Sequence, residues 1–139
     1  MSSVSLPSER TTFFLYFFRK NSLHSSNKIG FSLADEEETV NDSFRWFPYN
    51  KGGEYRKWYG NNDYVVNFQN KGAEVCAYID SHSAVNHTGR VINRDKYFHP
   101  SVTWSKISGG DIAFRYKPKG FIFDVAGTSI FGAEEMLDI

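Results

Sequence analysis

The stretch from Phe44 to Tyr59 restricts the fold more than any other part of the chain. It holds seven aromatic residues, Phe44, Trp46, Phe47, Tyr49, Tyr55, Trp58 and Tyr59, and is interrupted by Pro48 and by Gly52-Gly53. Proline removes a backbone donor and the glycine pair breaks regular structure, so no long helix or long central strand can run through it. The stretch therefore has to fold as short strands and loops. Aromatic residues make up 17% of the 139 residues, which supplies enough apolar area for a core although hydrophobic residues reach only 40%. The length fits one domain, on a prior of roughly 100–200 residues per domain.

Hydrophobic periodicity places further elements around this stretch. Thr12 to Phe18 is β-branched and aromatic and reads as a strand; Ile29 to Leu33 reads as a short one. Asp35 to Glu38 reads as a solvated turn or a helix start, since carboxylates favour helix N-termini. Tyr64 to Phe68 is the clearest strand, closed by a turn at Asn70-Lys71-Gly72. Val75, Tyr78 and Ile79 give Ala73 to Ser83 a helical face, and Asn86 to Arg90 reads as a loop. Pro100 marks Val102 to Trp104 as an irregular or edge strand. Gly109-Gly110 and Gly127-Thr128-Ser129 read as turns. Ile112 to Tyr116 and Phe121 to Val125 read as a hairpin, with Lys117-Pro118-Lys119-Gly120 at its tip. Ala133 to Ile139 reads as the start of a truncated helix. The expected class is α+β, mostly β-strands and loops with one or two short helices, in a single small domain.

Several function classes are disfavoured. The chain has no Gly-x-Ser-x-Gly elbow, no P-loop, and no Asp…Glu-x-Lys nuclease arrangement. Cys76, His82, His87 and His99 match no zinc spacing, so no metal is expected. A lone cysteine fits a reducing compartment. The longest apolar run, Phe13 to Phe18, is far below the roughly 18–20 residues that cross a bilayer, so no membrane partner is expected.

The net charge of zero conceals an uneven distribution. Residues 45–120 carry 12 Lys+Arg against 6 Asp+Glu, while residues 1–44 and 121–139 are net acidic. Within the basic middle, Lys51, Arg56, Lys57, Trp58 and Tyr59 interleave cations with aromatic rings. Cations contact phosphates and base edges, and aromatic faces stack on unpaired or flipped bases. Gly52-Gly53 would let backbone amides approach a phosphate. The same residues also suit a core-forming aromatic cluster with snorkelling Arg and Lys. Arg115, Lys117 and Lys119 form a second basic group at the expected hairpin tip.

The block Phe47-Pro48-Tyr49-Asn50-Lys51-Gly52-Gly53-Glu54-Tyr55-Arg56-Lys57-Trp58-Tyr59-Gly60-Asn61, followed by Tyr64-Val65-Val66-Asn67-Phe68, resembles a stretch of the BREX-type adenine-specific DNA methyltransferases, the PglX family, with related text in class IIG restriction-modification enzymes. Tyr97-Phe98, Val102-Thr103-Trp104-Ser105 and Phe114 to Asp124 continue the likeness in order. The resemblance covers residues 28–132 and leaves 1–27 as a variable arm and 133–139 as the start of a truncated helix. It implies a fragment downstream of the methylase domain, in the region leading into target recognition. Family members transfer methyl from S-adenosylmethionine to adenine N6 through an Asn-Pro-Pro-Tyr motif. The four prolines here stand at 7, 48, 100 and 118, so no Pro-Pro pair exists and no catalytic residue is carried over. The chain alone is expected to bind no cofactor and to be inactive as a methylase. The partner implied is double-stranded DNA, in the cytoplasm, contacted by Lys51, Arg56, Lys57, Trp58, Tyr59, Arg115, Lys117 and Lys119. The alternative is a structural module docking on a methylase subunit or another defence-system protein.

Overall fold

The computed structural model describes residues 17–23, 26, 28–82, 91, 93–106, 109–124 and 126–132. In chain order the elements are β1 (Phe17–Arg19), β2 (Trp46–Asn50), β3 (Tyr64–Asn67), α1 (Gln69–His82), β4 (Ser101–Ser105), β5 (Arg115–Lys117), β6 (Ile122–Phe123) and β7 (Gly127–Ile130). Short 3-10 turns at Lys20–Ser22, Glu37–Thr39 and Arg94–Lys96 complete the set. The class is α+β, dominated by strands and loops. The expected loop at 86–90 and helix at 133–139 lie outside the described residues, as do residues 12–16 of the first expected strand.

The strands form two sheets, ordered β1-β3-β2-β6 and β5-β4-β7. In the first, β3 pairs antiparallel with β1 and β2, while β6 lies parallel to β2 with Tyr49 opposite Ile122. Pro48 is tolerated inside β2 because of where the partners stop. On that flank Ile29 bridges at Trp46 and β6 begins at Tyr49, so position 48 has no ladder partner there. The expected strand at 29–33 is reduced to this single bridge.

One side of the first sheet makes the core. Leu33, Phe47, Val66, Phe68, Val75, Tyr97, Phe98 and Ile122 are buried together. Their rings meet edge-to-face: Phe47 and Phe98 at 6.2 Å, Phe68 and Tyr97 at 5.6 Å, Tyr97 and Phe123 at 5.1 Å. Phe47 is fully buried, and burial of such a side chain contributes about 1.5–3 kcal/mol. Tyr49 donates to Asp124 Oδ2 at 2.5 Å, and burial pushes its hydroxyl pKa well up.

The turn expected at 70–72 is present. Asn70, Lys71 and Gly72 all have positive φ, and the right-handed helix begins only after them, where the sequence places it. Arg94 ties this corner down. It donates to Glu36 Oε2 at 2.9 Å, to Lys71 O at 2.6 Å and to Cys76 Sγ at 3.4 Å.

Three expectations are corrected. First, 112–125 is not a hairpin. Gly120, at φ +100, lies where an added Cβ would stand 2.6 Å from Ser32 N, and the chain passes there from β5, which joins β4, to β6, which joins β2 in the other sheet. Second, β4 is the central strand of its sheet, not an edge, because Pro100 stands just ahead of it. Third, Gly127-Thr128-Ser129 is strand rather than turn, pairing with β4.

A polar seam joins the sheets. Asn50, 1% exposed, donates from Nδ2 to Thr103 Oγ1 at 2.7 Å, and Thr103 Oγ1 donates to Thr128 O at 2.7 Å. Asn50 is also the residue from which the 51–62 loop departs.

Candidate nucleic-acid interface

The aromatic stretch divides at this seam. Trp46, Phe47 and Tyr49 are buried in β2, whereas Tyr55, Trp58 and Tyr59 are 55%, 58% and 66% exposed. The stretch is therefore part core and part surface, divided at Asn50. Arg56 and Lys57 are exposed on the same loop, beside the exposed rings.

The loop is held against the free edge of β5. Trp58 N–H donates to Phe114 O at 2.9 Å, and Tyr116 N–H donates to Trp58 O at 2.8 Å. These two bonds fix Trp58 in the left-handed region, at φ 68, a conformation that costs a non-glycine residue about 1–2 kcal/mol. The ring is thereby displayed outward rather than packed inward.

From beneath, two buried cations secure the loop. Arg115 and Lys117 are each 1% exposed. Arg115 donates to Arg56 O at 3.3 Å, Ala113 O at 3.4 Å and Ser105 Oγ at 3.0 Å. Ser105 Oγ in turn donates to Gly53 O at 2.8 Å and accepts from Gly53 N at 3.1 Å. Lys117 Nζ donates to Gly60 O at 2.7 Å, to Asn61 O at 3.2 Å and to Asn62 Oδ1. No carboxylate forms an ion pair with either cation among the described residues. Burial, with the positive charges of Arg115 and Lys20, pushes the Lys117 pKa down to about 7, partly offset by Asp63; burial also lowers that of Arg115.

The facing of this strand is the inverse of the usual one. The strand turns Ala113, Arg115 and Lys117 inward, while Ile112 and Phe114 are 62% and 49% exposed. The reason is that the loop turns backbone carbonyls toward β5, and only donor side chains can satisfy them. Arg115 and Lys117 are thus anchors rather than members of the exposed surface. Of the other expected contact residues, the structure gathers Arg56, Lys57, Trp58 and Tyr59 on one loop. Lys51 is half-buried with its ammonium 5.1 Å from the centre of the Tyr64 ring. Lys119 is exposed in the turn after β5, away from the loop in sequence. The Gly52 and Gly53 amides have internal acceptors, Asn50 Oδ1 and Ser105 Oγ, so the expected phosphate cradle is already filled.

Ion pairing sharpens the picture. In the basic middle of the chain, Arg45, Lys71, Arg94 and Lys96 are paired with Glu74, Glu37, Glu36 and Asp95. The exposed cations left without an ion pair among the described residues there are Arg56, Lys57, Lys106 and Lys119. Two clefts flank the loop. One, of about 460 Å³, is lined by Arg19, Lys20, Arg56, Glu54 and Asp63. The other, of about 1020 Å³, includes Lys51, Tyr55, Lys106 and Asp111. Arg19 and Lys20 were not legible as site residues, because only the β1–β3 pairing brings them to Arg56. Among the described residues there is no cluster of three metal-ligating side chains and no helix long and apolar enough to cross a membrane.

No protein-family model matches the chain. Two curated relatives do. The adenine-specific methyltransferase PglX of Lacticaseibacillus casei (strain Zhang) is 47% identical over 114 residues, covering 79% of this chain and 9% of the relative. The adenine-specific methyltransferase BrxX of Escherichia coli O9:H4 (strain HS) is 39% identical over 87 residues, covering 63% of this chain and 6% of the relative. The chain thus spans under a tenth of the length of the curated relatives it matches. Over most of its own length it is a relative of a short segment of the BREX PglX-type adenine-specific methyltransferases.

Proposed function

We propose that this segment serves an adenine-specific methyltransferase of a phage-defence system by contacting double-stranded DNA, and that the loop Arg56-Lys57-Trp58-Tyr59 makes the contact. The observation that carries the reading is that the loop's side chains are exposed while its backbone is pinned from below by Arg115 and Lys117. A fixed backbone presenting two unpaired cations and two rings costs little ordering entropy on binding. The cations would engage phosphates, and Trp58 or Tyr59 would stack on a base displaced from the duplex. Lys51, Lys106 and Lys119 extend the basic surface. On this reading the segment takes no part in S-adenosylmethionine binding or methyl transfer, works in the cytoplasm, and belongs to target recognition.

The test is titration of duplex DNA at several salt concentrations. Binding whose log K falls with log salt, by about 0.9 per phosphate neutralised, supports the reading. A flat titration at low salt refutes it. A second reading is favoured by the exposed apolar side chains beside β5: Trp58, Tyr59, Ile112 and Phe114, with Phe114 against Trp104 at 5.7 Å. Exposed aromatic residues are common interface anchors, so this edge would dock on a methylase subunit or another defence-system protein. Capture of a methylase with no DNA binding by the isolated chain selects it.

A further inference from the structure

The structure assigns Lys117 the role of a proton-linked positioning residue: it clamps the loop that carries Arg56 to Tyr59 and does not itself touch DNA. This rests on the loop being the contact surface, but the clamp is testable without DNA. Three acceptors converge on Lys117 Nζ, from Gly60 O, Asn61 O and Asn62 Oδ1, all in the loop's returning limb. A charged lysine has three N–H donors, and a neutral one has two. A neutral head group can therefore still serve two of the three acceptors and hold the limb, whereas a charged one serves all three but is buried without an ion-paired carboxylate, and burial is the larger effect.

The charged and titratable groups that act on it are few. Arg115 lies two residues away on the same strand, Lys20 follows β1, and Asp63 precedes β3. The Phe121 ring centre is 5.0 Å from Nζ. The two cations oppose protonation and Asp63 favours it, while burial is the largest effect and opposes it. Clamped, Lys117 titrates near pH 7 against its ordinary value of 10.5.

The linkage sign follows. If opening the loop returns Lys117 to water, the open state holds its proton up to about pH 10.5 and the clamped state only to about pH 7. Between those values the open state binds more protons, so raising pH favours clamping, by up to about tenfold per pH unit. Below pH 7 both states are charged and the dependence vanishes.

The experiment is limited trypsinolysis of the full chain between pH 6 and 9. Cleavage after Arg56 and Lys57 is read by mass spectrometry and normalised to a free peptide spanning residues 51–63. For the wild type, normalised cleavage is level from pH 6 to 7 and then slows at least tenfold by pH 9. Lys117→Met removes the titrating group. Its profile is flat, and at pH 9 it is cleaved at least tenfold faster than the wild type. Lys117→Arg keeps a charge that does not titrate in this range, so its profile is also flat; it serves if the Met variant does not fold. A flat wild-type profile, or a wild-type profile retained by Lys117→Arg, overturns the clamp. Parallel titration of duplex DNA separates the two ideas: loss of DNA binding with the cleavage profile intact defeats the functional reading alone.

Discussion

Replacing Thr103 by valine tests whether the polar seam sets the root of the loop. The two side chains have nearly the same shape, so packing is preserved and only the hydroxyl is lost. Thr103 is fully buried, donates to Thr128 O at 2.7 Å and accepts from Asn50 Nδ2 at 2.7 Å. Valine leaves the Thr128 carbonyl without this donor and takes from Asn50 its shortest contact. The remaining Asn50 Nδ2 contacts, to Gly127 O at 3.3 Å and Ser129 Oγ at 3.5 Å, are too long to compensate fully. Each buried group left without its partner costs about 1–3 kcal/mol, so the pair gives a loss of about 2–6 kcal/mol, less what the longer Asn50 contacts recover. That is a large share of the roughly 5–15 kcal/mol that stabilises a domain. Urea unfolding followed by tryptophan fluorescence should show a lower midpoint with an unchanged slope. Asn50 also leads into the loop, so loop cleavage should rise in the same variant. A loss below about 0.5 kcal/mol, within the range of ordinary surface substitutions, would refute the seam as a structural link.

Other outcomes follow from the same contacts. Gly127→Ala places a Cβ 2.3 Å from Asn50 O and 2.7 Å from Asn50 Cγ; the seam must shift, and chemical denaturation should show a loss of about 1–3 kcal/mol or more. Trp58→Gly removes the left-handed strain and little burial, so unfolding free energy should stay within about 1 kcal/mol of wild type or rise. The same variant should bind a duplex carrying an unpaired adenine about 5- to 100-fold more weakly, as expected for a lost base stack of about 1–3 kcal/mol. Arg45→Ala breaks a pair with Glu74 whose side chains are about half exposed, and should cost no more than about 1 kcal/mol in the same denaturation assay.

The elements that proved legible were those whose cause is local. Val75, Tyr78 and Ile79 mark the helix because their spacing repeats within one turn. Asn70-Lys71-Gly72 reads as a turn because Asn and Gly tolerate positive φ. Tyr64 to Asn67 reads as strand from β-branched and aromatic content. What failed was set by distant partners. The two apolar runs around Lys117-Pro118-Lys119-Gly120 have the form of a hairpin, but Ile122 finds Tyr49 and Thr103 finds Arg115. The facing of Ile112, Phe114, Arg115 and Lys117 was not legible either: apolar residues ordinarily go inward, and here the carbonyls of a separate loop drew the cations in. The candidate site was half legible. Arg56 to Tyr59 stand together in the sequence as in the fold, whereas Arg19 and Lys20 reach Arg56 only through sheet pairing. The aromatic stretch could not be divided into core and surface until Asn50 was seen to be the point where β2 ends.

The most direct test of the central claim compares the salt dependence of DNA binding between two double variants. Arg56→Ala/Lys57→Ala removes the unpaired cations of the loop, and Arg45→Ala/Lys71→Ala removes two cations already paired with Glu74 and Glu37. Contact through the loop requires the first pair to weaken binding and to flatten the log K against log salt slope by about 2, roughly one per lost phosphate contact, while the second leaves the slope unchanged. Equal slopes for the wild type and the loop variant, or an equal loss in both variants, would contradict it.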